Sequence, residues 1–329
     1  MIKAAVIGLG WWGQTILNNL LNNRVIAPVL AVDPLDQARL SASRLGIETA
    51  PRFEDALVNT EVEAVILCTP QQQHAEQIIA AARSGRHVFC EKPLCTTAAD
   101  AEAAITAVRK ADVQLGIGHE RRFEPAVVDM RKRFAAGEFG NPLLLEGNFS
   151  QDKFLNLPRD NWRLSDRVNP AGPLSATGIH MVDLSIALLG RPTRVWARLA
   201  RLGSDFENGD TLSITIGFES GATAMLGAVL ATPFLGRLAL LGSKGWMEIR
   251  DRSHPENSTG CDVTSVHRDE MPVTAFYPPY PAVRDNLEAF GRAALGEAPY
   301  PVTLEEMLTN VRSFEAIQRS VKSGAIEVI

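Results

Sequence analysis

Cysteine is scarce in this chain. Four occur in 329 residues, Cys68, Cys90, Cys95 and Cys261, with no paired spacing and no histidine cluster beside them. That argues against a disulfide framework or a zinc site, so no metal is expected, and it suits a reduced, cytoplasmic setting. No secretory leader pattern precedes the first strand-like run. No apolar run approaches the roughly 20 residues needed to cross a bilayer, so no membrane association is expected. Excess positive charge is lacking too: the formal net charge is −5 and the pI about 5.8. The cluster Arg131-Lys132-Arg133 sits on a helix-like stretch and reads as a solvated face, which leaves no nucleic-acid footprint. Internal repeats and low-complexity tracts are missing as well. What remains is an ordinary globular composition, 46% hydrophobic and 22% charged, long enough for two cores.

The chain opens on a strand-like run, Lys3 to Ile7, that feeds Gly8-Leu9-Gly10-Trp11-Trp12-Gly13 and then a helical pattern. Gly-x-Gly-x-x-Gly between strand and helix is the fingerprint of a dinucleotide-binding βαβ unit. Gly8 allows the tight turn, Gly10 lets backbone approach a pyrophosphate, and Gly13 lets the helix pack close so that its first N–H groups face the phosphates. Trp11 and Trp12, inside the loop, either cover the cofactor or pack against the other domain. A second apolar strand, Val29 to Val32, ends at Asp33, about 20 residues after Gly13, where a carboxylate can accept hydrogen bonds from the adenosine ribose. A 2′-phosphate would meet like charge there, and the next residue is Pro34, not Arg or Lys. The expected cofactor is NAD rather than NADP.

Strand-like and helix-like segments then alternate: a helix over Pro34 to Leu45, a strand over Val62 to Cys68, and a helix over His74 to Ser84 stopped by Gly85. A strand at His87 to Cys90, a helix near Ala98 to Ala111 and a strand at Gln114 to Gly118 follow. This alternation predicts a doubly wound parallel sheet. Beyond about residue 120 helices are expected over Glu124 to Ala136 and Gly178 to Leu189. Strands are expected at Leu143 to Ser150, Arg194 to Leu202, Thr211 to Phe218, Ala222 to Leu230, Arg237 to Leu241 and Trp246 to Ile249. Residues 251–281, polar and proline-rich, read as a long loop around short strands, and two amphipathic helices end the chain. The expected architecture is an α/β Rossmann domain over 1–120 and an α+β domain over 121–329 with a large, mostly antiparallel open sheet. The terminal helices are left free to pack back on the first domain.

Glu91-Lys92-Pro93 follows the strand ending at Cys90. Further along come Gly118-His119-Glu120-Arg121-Arg122-Phe123-Glu124-Pro125, Asn161-Trp162-Arg163 and Gly178-Ile179-His180-Met181-Val182-Asp183, and before it stands Cys68-Thr69-Pro70 followed by His74. With the glycine loop and Asp33, these stretches make the chain resemble the glucose-fructose oxidoreductase, inositol dehydrogenase and MocA family. The resemblance implies an NAD-dependent dehydrogenase acting on CH–OH groups of a sugar, polyol or related small molecule. It adds Thr69, Pro70, His74, Glu91 and Lys92 to the cofactor site, and Arg121, Arg122, Trp162 and Arg163 to the substrate side. It also implies a homodimer or homotetramer built through the open sheet.

Alcohol oxidation needs a group that takes the hydroxyl proton while hydride leaves carbon, and His180 is the natural base. Lys92 can hydrogen-bond the substrate oxygen and stabilise alkoxide charge, with Pro93 favouring an extended Lys92. Many relatives carry an acid four residues before the histidine, where this chain has Ala176. Thr177, Ser175 or Asp183 then supplies the polar contact, or the chemistry differs from polyol oxidation. Asp183, one helical turn after His180, can orient the imidazole, touch substrate or cap local structure. Arg121 and Arg122 either bind substrate or cofactor phosphate or are merely solvated. Two further readings stay open: an enzyme that retains NAD through transient oxidation, and a non-catalytic NAD-binding regulatory protein.

Overall fold

The opening strand β1 (Ile2–Ile7) is apolar at nearly every position because both its faces are covered. Ile2, Ala4 and Val6 enter one core, and Ala5 and Ile7 another. The computed structural model describes residues 1–329. They form two compact units, residues 1–120 with 281–311 and residues 121–280 with 312–329.

In the first unit β1 is followed by α1 (Trp11–Leu20), β2 (Ile26–Val32), α2 (Asp36–Arg44), β3 (Glu48–Ala50) and α3 (Phe53–Val58). Then come β4 (Ala64–Leu67), α4 (His74–Arg83), β5 (His87–Cys90), α5 (Ala98–Ala111) and β6 (Leu115–Ile117). The strands form one parallel sheet in the order β3-β2-β1-β4-β5-β6. Strand order reverses between β1 and β4, and in such sheets ligands bind beyond the carboxyl ends of the strands at that point. β2 starts earlier than the sequence suggests. Pro28 stands opposite Ala4, where the register slips before Ala5, and a residue without an N–H is tolerated at such an irregularity. The helix α5 is capped by Thr97, whose hydroxyl oxygen accepts from the Asp100 N–H at 3.1 Å, an interaction typically worth about 1 kcal/mol.

The second unit opens with α6 (Pro125–Ala135), β7 (Pro142–Ser150) and α7 (Ile179–Leu189), the last entered through a π-helical turn over Leu174–Gly178. Strands follow: β8 (Pro192–Ala200), β9 (Thr211–Phe218), β10 (Thr223–Val229), β11 (Leu235–Gly242), β12 (Gly245–Asp251), β13 (Cys261–His267) and β14 (Val273–Tyr277). The chain then forms α8 (Ala282–Ala294) and α9 (Leu304–Ser323), and ends in β15 (Glu327–Val328). Residues 281–311, which carry α8 and the start of α9, belong to the first unit. There Phe290 meets Phe89 edge-on at 5.6 Å, and Asn286 and Tyr300 both bond the Ile117 carbonyl.

The second sheet runs β14-β13-β12-β11-β7-β10-β9-β8-β15, and only the β7–β10 pair is parallel. One face is apolar, as Leu212, Ile214, Ile216 and Phe218 in β9 illustrate, and it packs on α6, α7 and the later turns of α9. Gly147 lets α7 come close: a Cβ there would lie 2.9 Å from Leu226 and 3.1 Å from the Met181 sulfur. The other face bears Glu146, Arg237 and Glu248 in a chain of ion pairs. Residues 251–281, expected as a long loop around short strands, hold two strands, β13 and β14, which extend the sheet beyond β12.

Candidate active site

The glycine loop follows β1 at the point where the first sheet reverses its strand order. Gly8 has φ +89°, and a Cβ there would lie 2.8 Å from the Cys68 carbonyl oxygen. A Cβ on Gly13 would sit 1.9 Å from the Gly8 carbonyl oxygen, so these two positions admit only glycine. Gly10 differs: a Cβ there would have no atom of the chain within 4 Å. It caps α1, which has no side-chain cap. The space beside Gly10 and the uncapped helix start suit a pyrophosphate held by backbone N–H groups. Trp11 is 58% exposed and stands 5.4 Å from the half-buried Trp12.

Asp33 ends β2 with its side chain buried. Its Oδ2 accepts the Leu9 N–H at 2.8 Å and its Oδ1 the Leu35 N–H at 2.9 Å, which ties it to the glycine loop and to the entry of α2. A carboxylate has about four acceptor sites, so both oxygens can still accept from a ribose diol. The residues of this half fit a dinucleotide.

Beyond β4, Thr69 donates its hydroxyl to Gln77 at 2.6 Å, and Pro70 is exposed. His74 is buried, with one ring nitrogen 2.8 Å from the Pro93 carbonyl and the other 2.9 Å from that of Thr69. Burial pushes its pKa down, against the raising effect of these carbonyls. The imidazole therefore braces the Thr69 loop against the Lys92–Pro93 loop. Glu91 is buried beyond β5, with its carboxylate where a Cβ on Gly118 would come within 2.4 Å. Desolvation raises its pKa to about 7, although the adjacent Lys92 charge opposes this. Lys92 follows, half-buried, and its peptide bond to Pro93 is cis.

In the second unit His180 lies in the first turn of α7, 5% exposed, with the Phe149 ring 5.8 Å away. Asp183 is fully engaged. Both its oxygens accept from Arg122, at 2.8 and 2.7 Å, in a bidentate pair buried on both sides. Arg121 is equally committed, to Glu124 at 3.0 Å and Asp251 at 2.7 Å, with its guanidinium 5.3 Å from the Phe149 ring. Neither arginine is merely solvated.

The π-helical turn explains the residues before His180. Ser175 donates to Asn169 at 2.6 Å, and Thr177 makes a long 3.5 Å contact with the Pro173 carbonyl. Ala176 packs against an apolar cluster of Leu164, Phe206 and Leu230, joined by Phe154 and Leu157. Trp162 and Arg163 lie in the segment that contributes Leu164, and the Arg163 guanidinium stacks 4.5 Å over the Trp162 ring. Burial lowers the Arg163 pKa.

Sequence reasoning missed Phe149 and His254. The His254 ring is 5.5 Å from both Phe149 and Phe234, and burial with the charges of Lys153 and Arg121 lowers its pKa to about 4. It lies in the polar, proline-rich stretch after β12, where no local pattern marks it. Arg39 was also passed over, although its spacing from Asp36 is that of a helical ion pair.

A family model described as an oxidoreductase family with an NAD-binding Rossmann fold matches residues 2–119, and a GFO/IDH/MocA C-terminal domain matches residues 127–248. D-xylose 1-dehydrogenase (NADP(+)) 2 of Haloferax volcanii is 30% identical over 307 residues, covering 90% of each chain. scyllo-Inositol 2-dehydrogenase (NAD(+)) of Bacillus subtilis is 32% identical over 263 residues, 77% of this chain and 75% of its own. The crystal structure of aldose-aldose oxidoreductase from Caulobacter crescentus, complexed with glycerol, superposes with a TM-score of 0.88 at 26% identity, over 100% of this chain and 99% of that one. The chain belongs to the GFO/IDH/MocA family of oxidoreductases, and both of that family's characteristic domains are present in it.

Proposed function

We propose that the protein is a dehydrogenase that moves hydride between nicotinamide and a sugar, polyol or related hydroxylated small molecule, with NAD as the preferred cofactor. The observation that carries this reading lies within the first unit. Lys92 stands at the carboxyl end of β5, on the same edge of the sheet as the glycine loop after β1, with β4 between. A dinucleotide with its pyrophosphate on α1 has its nicotinamide end directed along that edge, where an ammonium can meet a substrate oxygen. The relatives named for xylose and scyllo-inositol support the substrate class.

When bound, NAD would supply the hydride acceptor at the nicotinamide ring. Lys92 Nζ donates a hydrogen bond to the substrate oxygen and stabilises negative charge as it develops. The imidazole of His180 takes the hydroxyl proton as the C–H bond gives up its hydride and the carbonyl forms. The Arg122–Asp183 pair fixes the helix that carries His180. The Ala176 position contributes apolar surface where many relatives carry an acid, so proton handling rests on His180 and Lys92. The same reading places the protein in the cytoplasm as a homodimer or homotetramer.

The test is NADH absorbance at 340 nm across a panel of sugars, polyols and hydroxy acids, with wild type beside Lys92→Ala and His180→Ala. Loss of a positioned acid or base typically costs about 10²–10⁴ in turnover. Both variants should fall by that order and still bind NAD. Turnover at the wild-type rate in either one removes that residue from the mechanism.

A further inference from the structure

The turn between β2 and α2, where the adenosine ribose is expected beside Asp33, holds a cation the expectation for NAD did not include. Arg39, in the second turn of α2, is folded back toward the helix start. Its Nη1 donates to the backbone carbonyl of Asp33, the residue whose carboxylate is the ribose acceptor, and its Nη2 pairs with the Asp36 carboxylate. The Arg39 side chain is only 18% exposed, whereas Asp36 is 91% exposed. A guanidinium is thus bonded to the backbone of the residue read as the ribose acceptor, with an exposed acid as its counter-ion.

We propose that Asp36 masks Arg39, and that this pair, together with Asp33, sets the discrimination between NAD and NADP. The inference rests on the dinucleotide reading of the glycine loop. A 2′-phosphate carries up to two negative charges, and a guanidinium is its best side-chain partner because the planar fork matches phosphate oxygens. At this edge two carboxylates, Asp33 and Asp36, stand against one cation. The surplus of negative charge repels the phosphate, and Asp36 also occupies the donors the phosphate needs. Removing Asp36 balances the charge and frees the fork. The NAD ribose, which carries hydroxyls only, is indifferent to the change.

The experiment measures direct binding of NADH and NADPH to the protein without substrate, by the fluorescence of the reduced nicotinamide. Wild type, Asp36→Ala, Asp36→Asn, Arg39→Ala and the Asp36→Ala/Arg39→Ala double variant are compared. Exposed ion pairs are weak, so Asp36→Ala and Asp36→Asn should tighten NADPH by about three- to tenfold while NADH stays within about twofold. In the Arg39→Ala background the gain should disappear. Unchanged NADPH affinity in both Asp36 variants overturns the proposal, as does a gain that survives without Arg39. A wild type that binds neither dinucleotide overturns the dinucleotide reading itself. Binding of NADH with a ratio insensitive to Asp36 and Arg39 overturns only the masking.

Discussion

Glu91 offers the sharpest quantitative test. It is buried at the end of β5, its carboxylate fills the space left by Gly118, and desolvation raises its pKa from 4.5 to about 7. A group whose folded pKa is raised is stabilising while protonated. Its contribution is complete below the unfolded value and is lost as pH rises through the folded one. The window therefore runs from about pH 4.5 to 7, and over it the fold loses about 3 kcal/mol relative to a neutral side chain of the same shape. Glu91→Gln supplies that side chain. Urea denaturation of the two proteins without cofactor, at intervals from pH 5 to 8, reads the difference. Other titrating groups are common to both and cancel, and any fixed offset reports only how the amide packs. The advantage of Glu91→Gln should grow by about 2.5 kcal/mol between pH 5 and pH 8. Parallel stability curves over that range, or an advantage that shrinks as pH rises, would refute the assignment of a desolvated carboxyl. Confirmation would show that the chain holds a destabilising acid beside Lys92, as functional sites often do.

The glycines separate fold from binding. Gly13→Ala puts a Cβ 1.9 Å from a backbone oxygen, so it should lower the melting temperature as well as abolish NAD binding. Gly10→Ala meets no atom of the chain, so calorimetry should show an unchanged melting temperature while the Kd for NAD rises. Equal effects of the two variants on stability would contradict the loop geometry. Arg122→Leu leaves Asp183 buried without its counter-ion, which typically costs about 3–5 kcal/mol. Chemical denaturation should report a loss of that size, and a loss below about 1 kcal/mol, the range of a surface pair, would count against a buried pair.

The first unit was legible because its local and global signals agree. The run Ala4 to Ile7 is apolar and buried on both faces, the glycines sit where the backbone demands them, and α5 spans Ala98–Ala111, where a helix is expected. The bounds of β13 and of the edge strand β14 are not legible in the sequence, which shows only short strands within a long loop: the period of 2 fades where neither face is well covered, and every residue of β14 is exposed except half-buried Tyr277. The short β3 and α3 went unnoticed for want of length, since an element of three or six residues carries too few positions to show a period.

The site residues divide along the same line. Gly8, Gly10, Gly13 and Asp33 act through the backbone next to them, so spacing along the chain reports them. Arg121 and Arg122 do not: they are adjacent in sequence, yet one meets Glu124 and Asp251 and the other Asp183. Glu124 is three residues away, but Asp251 and Asp183 lie on distant elements, and no local pattern separates a buried bidentate pair from a solvated charge. Arg39 is the intermediate case. Its i,i+3 spacing from Asp36 was available, but its bond to the Asp33 carbonyl depends on how the chain turns between β2 and α2. Cofactor choice is therefore where a sequence motif is least sufficient. The acid at the end of β2 is visible from spacing, while the charge that competes with it is placed by the fold.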